Sequence, residues 1–233
     1  MTNKKENSAL DVNETLNRSE AFFDKYKKPV LIVVALVIVI IAGLFVYETY
    51  VTGPRSEKAS TALAKGQDYF NQEQFDKALN GDGAGYVGFV KIASDYSGTD
   101  AANLANLYAG LCYANLNKWN DAVKYLEEFS PSDDAMISPS AVAALGNAYA
   151  QIGNLDKAVS NLKKAADMAD DQAEDGANVS ISPTFLIQAG ELLESQGKKA
   201  DALEIYQNIK KKYVNAAVVQ SSEIDKYIER VSE

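Results

Sequence analysis

From Val30 to Tyr47 the chain runs eighteen residues without a charge, most of them aliphatic and many β-branched. As a helix this stretch covers about 27 Å at roughly 1.5 Å per residue, close to the roughly 30 Å apolar core of a bilayer. A core helix rarely stays apolar on every side for so long, and a strand of that length would be abnormal. The run therefore reads as a membrane span. A cleaved signal peptide normally has an apolar region of only about 7–15 residues. The exit sequence Tyr47-Glu-Thr-Tyr-Val-Thr-Gly-Pro54 also lacks a small-x-small cleavage site. The single cysteine, Cys112, lies far downstream and rules out a lipid-modified leader. The span is expected to remain as an anchor.

Charge gives the orientation. In the fifteen residues before the span stand Arg18, Lys25, Lys27 and Lys28, and in the fifteen after it only Arg55 and Lys58. The positive-inside rule then keeps the N-terminus in the cytoplasm and carries everything after about Glu48 across the membrane. The translocated part holds 17 Lys+Arg and 27 Asp+Glu, a net charge of −10. Nucleic acid, whose binding needs a basic face, is excluded as a partner. The chain has no histidine, which removes the usual metal ligand, the usual general base and any Ser-His or Cys-His pairing. Its carboxylates stand where solvated helix faces need them. The expectation is a protein that is not an enzyme, with no catalytic residue, metal or cofactor.

Beyond the span, four segments share one skeleton. Gly66 is followed by Tyr69 and Ala78. Gly110 leads to Tyr113, Ala122 and Leu126, Gly146 to Tyr149, Ala158, Leu162 and Ala165, and Gly190 to Leu193, Ala202 and Tyr206. Glycine and alanine are twelve residues apart each time, with Asp76, Asp121, Asp156 or Asp201 just before the alanine. Two antiparallel helices packed closely require this: a glycine on one and an alanine on the other let the backbones approach. The turn between them needs a left-handed residue. Asn117, Gly153 and Gly197 fit that position, whereas Glu73 does not. Phe75, Trp119 and Leu155 open the second helix with an apolar contact, and Lys199 departs.

The glycines recur at intervals of 44, 36 and 44 residues. Two units therefore carry insertions, at Asn80-Gly-Asp-Gly-Ala-Gly85 and at Asp170–Asn178, both rich in loop-forming residues. Phe89, Ile92, Ala93 and Tyr96 then resume the interrupted helical stripe. The first insertion lacks the lysine of a phosphate loop and the spaced acids of a calcium loop, so it reads as a flexible connection. Trp119 and Tyr149 stand at packing positions rather than on a ligand platform.

This skeleton resembles the tetratricopeptide repeat, a helix-turn-helix unit of about 34 residues, over about residues 56–213. The resemblance implies an all-α fold: one N-terminal transmembrane helix, a tetratricopeptide-like α-solenoid of about four helix pairs, and a closing helix. The expected domains are a cytoplasmic stub at 1–28, the span at 29–50, the repeats at 56–214 and the capping helix at 215–233. In the last segment Ser222 with Asp225 resembles a capping box, and Ile224, Tyr227, Ile228 and Val231 form one apolar stripe. That helix serves either as a cap or as a partner-binding tail. In the stub, Asp11 with Glu14 resembles a helix start, and Val12, Leu16, Phe22, Phe23 and Tyr26 fall largely on one face. That face suits either the membrane surface or a docking partner.

The full layout is similar to the ancillary Sec-translocon subunit family of bacterial inner membranes. That resemblance implies a single-pass protein of the bacterial inner membrane with a periplasmic repeat domain. It also implies translocon subunits, chaperones or secreted polypeptides as protein partners, in an accessory role in translocation or chaperone handover. Stacked helix pairs leave a concave face lined by the first helices. The repeat register puts Leu63, Gln67, Phe70, Leu107, Leu111, Asn115, Asn147, Gln151, Ile187 and Glu191 there. Apolar at one end and amide-rich at the other, this face suits an extended or helical polypeptide. It lacks the lysine clamp that holds chain-terminal carboxylates. The alternative is a structural scaffold subunit of another envelope complex, without peptide-binding activity.

Overall fold

The computed structural model describes residues 6–232, with side chains described from Tyr26 onward. They divide into two compact units, one ending at Arg55 and one beginning at Ser56. Every regular element among the described residues is a helix.

In the first unit α1 runs from Glu6 to Tyr47 and contains Pro29. A proline there removes one amide donor and leaves the carbonyl four residues earlier without its helical partner. Val30–Tyr47 is exposed throughout, and α1 is long and apolar enough to cross a membrane. A π-helical turn, Glu48–Thr52, follows, and the Thr49 hydroxyl donates back to the Phe45 carbonyl at 2.8 Å. The stripe expected through Val12, Leu16, Phe22 and Phe23, with its Asp11–Glu14 start, falls on side chains outside the described residues.

The second unit is a row of helix pairs. The first helices are α2 (Gly53–Asn71), α5 (Asp100–Asn115), α7 (Ile137–Gln151) and α9 (Ser182–Ser195). Their partners are α3 (Phe75–Asn80) with α4 (Phe89–Asp95), α6 (Trp119–Glu127), α8 (Leu155–Asp171) and α10 (Lys199–Lys212). Ala78, Ala122, Ala158 and Ala202 are each fully buried at the seam between paired helices. The glycines opposite leave no room for a side chain. A Cβ on Gly110 would lie 2.5 Å from Leu126 Cγ, and one on Gly146 would meet Leu162 Cγ at 3.0 Å and the Ala158 carbonyl at 3.1 Å. Gly190 is closed in the same way by the Tyr206 ring, sixteen residues on. In the first pair the residue sixteen on from Gly66 is Asp82, so Tyr86 and Phe89, displaced by the insertion, fill the place instead.

All four turns use a left-handed residue: φ is 57° at Glu73, 56° at Asn117, 81° at Gly153 and 75° at Gly197. Glu73 thus adopts the conformation its residue type argues against. Its amide donates to the Phe70 carbonyl at 2.9 Å, and the Gln74 amide donates to Tyr69 at 2.9 Å, the pattern seen around Asn117 and Gly153. The geometry of the hairpin overrides local preference there.

The insertions are built loops rather than slack ones. Asp82 accepts main-chain N–H groups from Ala84 and Tyr86 at 2.8 and 2.9 Å, the Tyr69 hydroxyl at 2.8 Å and the Lys65 ammonium at 2.8 Å. Lys65 contributes most to holding this carboxyl well below the usual range, with the two amides and Tyr69 adding to it. In the second insertion Asp170 and Asp171 continue α8 instead of opening a loop. Asp170 is buried and accepts from the Ser182 hydroxyl (2.7 Å), the Tyr213 hydroxyl (2.6 Å), the Asn178 amide (2.8 Å) and Lys212 (2.5 Å). Burial pushes its carboxyl up, but Lys212, Tyr213, Ser182 and Asn178 together hold it below its ordinary value.

The row ends in α11 (Ala217–Gln220) and α12 (Glu223–Ser232). α12 packs on α10 through Ile224 and Val231, both buried, and through Tyr227 and Ile228. Arg230 adds a two-pronged pair with Glu194 of α9 at 2.6 and 2.9 Å. Ser222 is not the capping-box serine its sequence suggests. It sits at φ 58°, outside the extended conformation of an N-cap, and the Asp225 carboxylate binds Lys210 at 2.7 Å.

Two measurements check this packing. Gly146→Leu overfills the α7–α8 seam and should lower stability by about 1–3 kcal/mol. At roughly 2–4 °C per kcal/mol for a domain of this size, that is several degrees of Tm; an unchanged Tm would remove Gly146 from the contact. The second concerns Asp134, whose carboxylate accepts from the Met136 and Ser138 amides at 3.0 Å, the Ile137 amide at 2.5 Å and the Ser138 hydroxyl at 2.5 Å, closing the N-terminus of α7. Burial raises its pKa, and these hydrogen bonds override that and lower it from 3.8 to about 2. A carboxyl depressed on folding contributes stability above its unfolded pKa and loses it as pH falls through the folded one. Asp134→Ala should therefore cost about 0.5–2 kcal/mol at pH 7. The gap to wild type should close as pH falls from 3.8 towards about 2. A gap independent of pH in urea titrations would contradict the ionised cap.

Candidate functional site

The first helices α5, α7 and α9 form a face with little charge. α7 carries no charged residue, α5 only Asp100, and α9 only Glu191 and Glu194. Lysines are concentrated instead on the second helices, as Lys157, Lys163 and Lys164 on α8 and Lys199 and Lys210–212 on α10. The segregation follows from register. In each pair the glycine side of the first helix is occupied by its partner, and the side opposite carries apolar and amide residues with few charges.

The structure separates the ten residues assigned to this face into three groups. Leu63 and Leu107 are core residues, 6% and 7% exposed. Leu63 packs with Ala59, Ala78 and Phe89, and Leu107 with Ala122 and Leu126. Neither is open to a ligand, because α2, α5 and α7 lie close enough to bury both. Gln67, Phe70, Leu111 and Ile187 are half-buried. Gln67 donates its side-chain amide to the Tyr108 hydroxyl at 3.0 Å, and Phe70 meets the Tyr108 ring edge-on at 5.2 Å. Leu111 and Ile187 pack on the middle and terminal cores. Asn115, Asn147, Gln151 and Glu191 are exposed. The Asn115 amide donates to the Leu111 carbonyl at 2.8 Å, leaving its oxygen outward, and Glu191 lies 3.9 Å from Arg230.

The accessible surface is thus amide-rich, and the apolar end expected from sequence is largely closed. Asn115, Asn147 and Gln151 stand on two successive first helices. Gln151 also lines a shallow recess with Trp119, Lys118 and Ile152 at the hairpin turns. Trp119 is half-buried against the middle core, a packing position. Tyr149 is buried and donates its hydroxyl to Glu127 while accepting from Lys157.

Tyr108 and Gln188 are two residues of this face that the sequence reading passed over. Each stands two residues before its skeleton glycine, in register with Ala64 and Ala144. Tyr108 stacks on Phe89 at 5.2 Å as well as receiving Gln67, so it ties α2, α4 and α5 together. Gln188 leaves its side-chain oxygen without a hydrogen-bond partner among the described residues. The register was the signal that could have found both. Among the described residues no group of three or more acidic, cysteine or histidine side chains is placed to hold a metal ion.

A family model described as a tetratricopeptide repeat-like domain matches residues 20–224. Among solved structures, the chain is similar to the nearly identical TPR-like repeats of a Podosopora anserina protein assigned as a kinesin light chain. The identity is 12%, the TM-score 0.49, and the alignment covers 76% of this chain and 94% of that one. A single-substitution form of the same protein gives the same values. No curated protein matches the sequence.

Proposed function

The chain belongs to the tetratricopeptide repeat-like domain family, and we propose that it is a membrane-anchored protein-interaction module whose first-helix face holds extended polypeptide. The observation that carries this reading is the exposed, uncharged set Asn115, Asn147 and Gln151 on successive first helices. A side-chain amide both donates and accepts, as does every residue of a peptide main chain. Such a face therefore grips a polypeptide with little regard to its side chains. A charged ligand finds no counter-ion on α5, α7 or α9 beyond three carboxylates.

The apolar run supplies the anchor, with residues 1–28 in the cytoplasm, 29–50 in the bilayer, the repeats at 56–214 outside and 215–233 capping them. The lysines before Val30 support that orientation. In a bacterial inner membrane this layout puts the repeats in the periplasm. It suits an accessory factor that meets secreted polypeptides near translocon subunits or passes them to chaperones. The rival reading is a scaffold subunit that contacts its complex through the span, whose apolar surface is exposed along its whole length.

Topology is tested with a reporter active only outside the cytoplasm. Fused after Glu233 it should be active, and activity only when it is placed before Lys4 would reverse the assignment. Function is tested by changing Leu111, Asn115 and Gln151 to Ala and Asn147 to Ser in one variant. Fold and membrane insertion should be kept, while photocrosslinks from this face to translocating polypeptide fall several-fold. If that variant crosslinks like wild type and deletion of residues 1–28 instead loses the membrane partner, the scaffold reading stands.

A further inference from the structure

Beyond Ser56, Met136 (66%), Ile137 (54%) and Val214 (52%) are the most exposed large hydrophobic side chains among the described residues, followed by Val179 (39%) and by Val87 and Ile152 (both 38%). Met136, Ile137, Val214 and Val179 lie in, or directly after, the connections that lead from a second helix back to the next helix, 128–136, 172–181 and 213–216, while Ile152 stands alone at a hairpin turn of the opposite edge. In a row of antiparallel pairs these connections share one edge. Asp170 draws two of them together, since it binds the amide of Asn178 and the hydroxyl of Tyr213, the residues just before Val179 and Val214. Met136 and Ile137 start α7, beside the point where its antiparallel partner α8 ends. Their amides are fixed by the Asp134 carboxylate. The chain at or beside each tip is therefore tied to the fold by hydrogen bonds while the side chain stays exposed, although buried residues such as Ser138 adjoin them.

The same edge is where the repeat unit begins. α2 runs parallel to α5: Ala59 and Leu63 share a core with Ala101 and Ala105, and further along Gln67 pairs with Tyr108. Ser56 consequently starts at the edge where α5 starts. In the sequence only eight residues separate Ser56 from Tyr47, the last residue of the apolar run.

We propose that this edge is a membrane-contacting surface, with Met136, Ile137, Val179 and Val214 dipping into the headgroup region of the bilayer that the span crosses. The proposal rests on reading Val30–Tyr47 as a span. So short a tether keeps lipid at high effective concentration next to the domain. Apolar residues scattered singly over a surface are ordinary; what points to lipid is their place, on the edge where the short connection from the apolar run enters. The connections and helix ends along this edge carry both signs, Asp133 and Asp175 as well as Lys210 and Lys211, so contact does not depend on anionic lipid. It would also turn the opposite, hairpin-turn edge away from the bilayer.

The full chain, with Cys112→Ala, is reconstituted in phosphatidylcholine nanodiscs containing nitroxide-labelled acyl chains. An environment-sensitive fluorophore is placed on one new cysteine at a time, replacing Met136, Val179 or Val214 at the tips, Lys118 or Lys198 at the opposite edge, or Val39 in the span. Quenching at the three tips should be several-fold stronger than at Lys118 and Lys198, with blue-shifted emission. If Val39 is not quenched, the span reading fails. If Val39 is quenched while the tips behave like Lys118, the edge does not meet lipid and the proposal is overturned. Should Cys112→Ala lose helicity, the wild-type background serves, since Cys112 is fully buried.

Discussion

The close approach of paired helices at a glycine is the contact on which the repeat unit depends. Gly110, Gly146 and Gly190 each face the residue sixteen positions later, and a methyl group at any of them would overlap it or press against the partner backbone. That spacing fixes the hairpin's register, and the register decides every other assignment. It buries the four seam alanines, gives the turn a left-handed residue and turns one stripe of each first helix outward. Large side chains then fill the groove, as the Tyr206 ring does against Gly190. A packed interior tolerates few voids, so a small residue on one helix and a large one on its partner must be chosen together.

Insertions threaten such a register, and the chain meets both with the same chemistry. Asp82 gathers a tyrosine hydroxyl, a lysine and two main-chain amides; Asp170 gathers a tyrosine hydroxyl, a lysine, a serine and one amide. A carboxylate removed from water is expensive unless its lone pairs are filled, and four partners fill them. Some partners come from outside the loop, Lys65 and Tyr69 on α2 for Asp82 and Lys212 and Tyr213 for Asp170, so each cluster closes its inserted loop against the helices. Glu194, with the Tyr206 hydroxyl and Arg230, does the same for the closing helix. Tyrosine suits this role because its ring packs in the core while its hydroxyl reaches the charge.

Much of this was legible in the sequence, and the exceptions have one cause. The seam glycines and alanines, the resumed stripe at Phe89 and Ile92 and the closing stripe at Ile224 and Val231 follow from spacing alone. Glu73, Ser222 and Asp170 were misread because local preference was applied where tertiary contacts decide. A glutamate can be held left-handed by a hairpin, a serine in that conformation cannot cap, and an aspartate among loop-like neighbours can be a buried anchor. Leu63 and Leu107 show the same limit for the candidate face. Repeat register told which side of the helix they occupy, but how closely neighbouring pairs stack decides whether that side is open. Asn115 and Gln151 are exposed because they end α5 and α7 beside the hairpin turns, whereas Asn147 is exposed between the buried Gly146 and Ala148 because it points to the open side of α7.

That difference changes what the face can do on the proposed reading. An apolar groove would select hydrophobic anchors and bind them tightly by removing their surface from water. With Leu63 and Leu107 closed off, binding falls to amides, whose hydrogen bonds exchange with water at a net gain of only about 0.5–1.5 kcal/mol each. A few such contacts give weak, sequence-tolerant binding that releases readily. Free in solution that would be of little use. Tethered beside the place where a polypeptide emerges, the same face works at high effective concentration, and the anchor supplies what the groove lacks. The absence of lysine and arginine from α5, α7 and α9 acts in the same direction, because it leaves no cation there to trap an acidic segment. On that reading weak contact and firm anchoring are two halves of one arrangement.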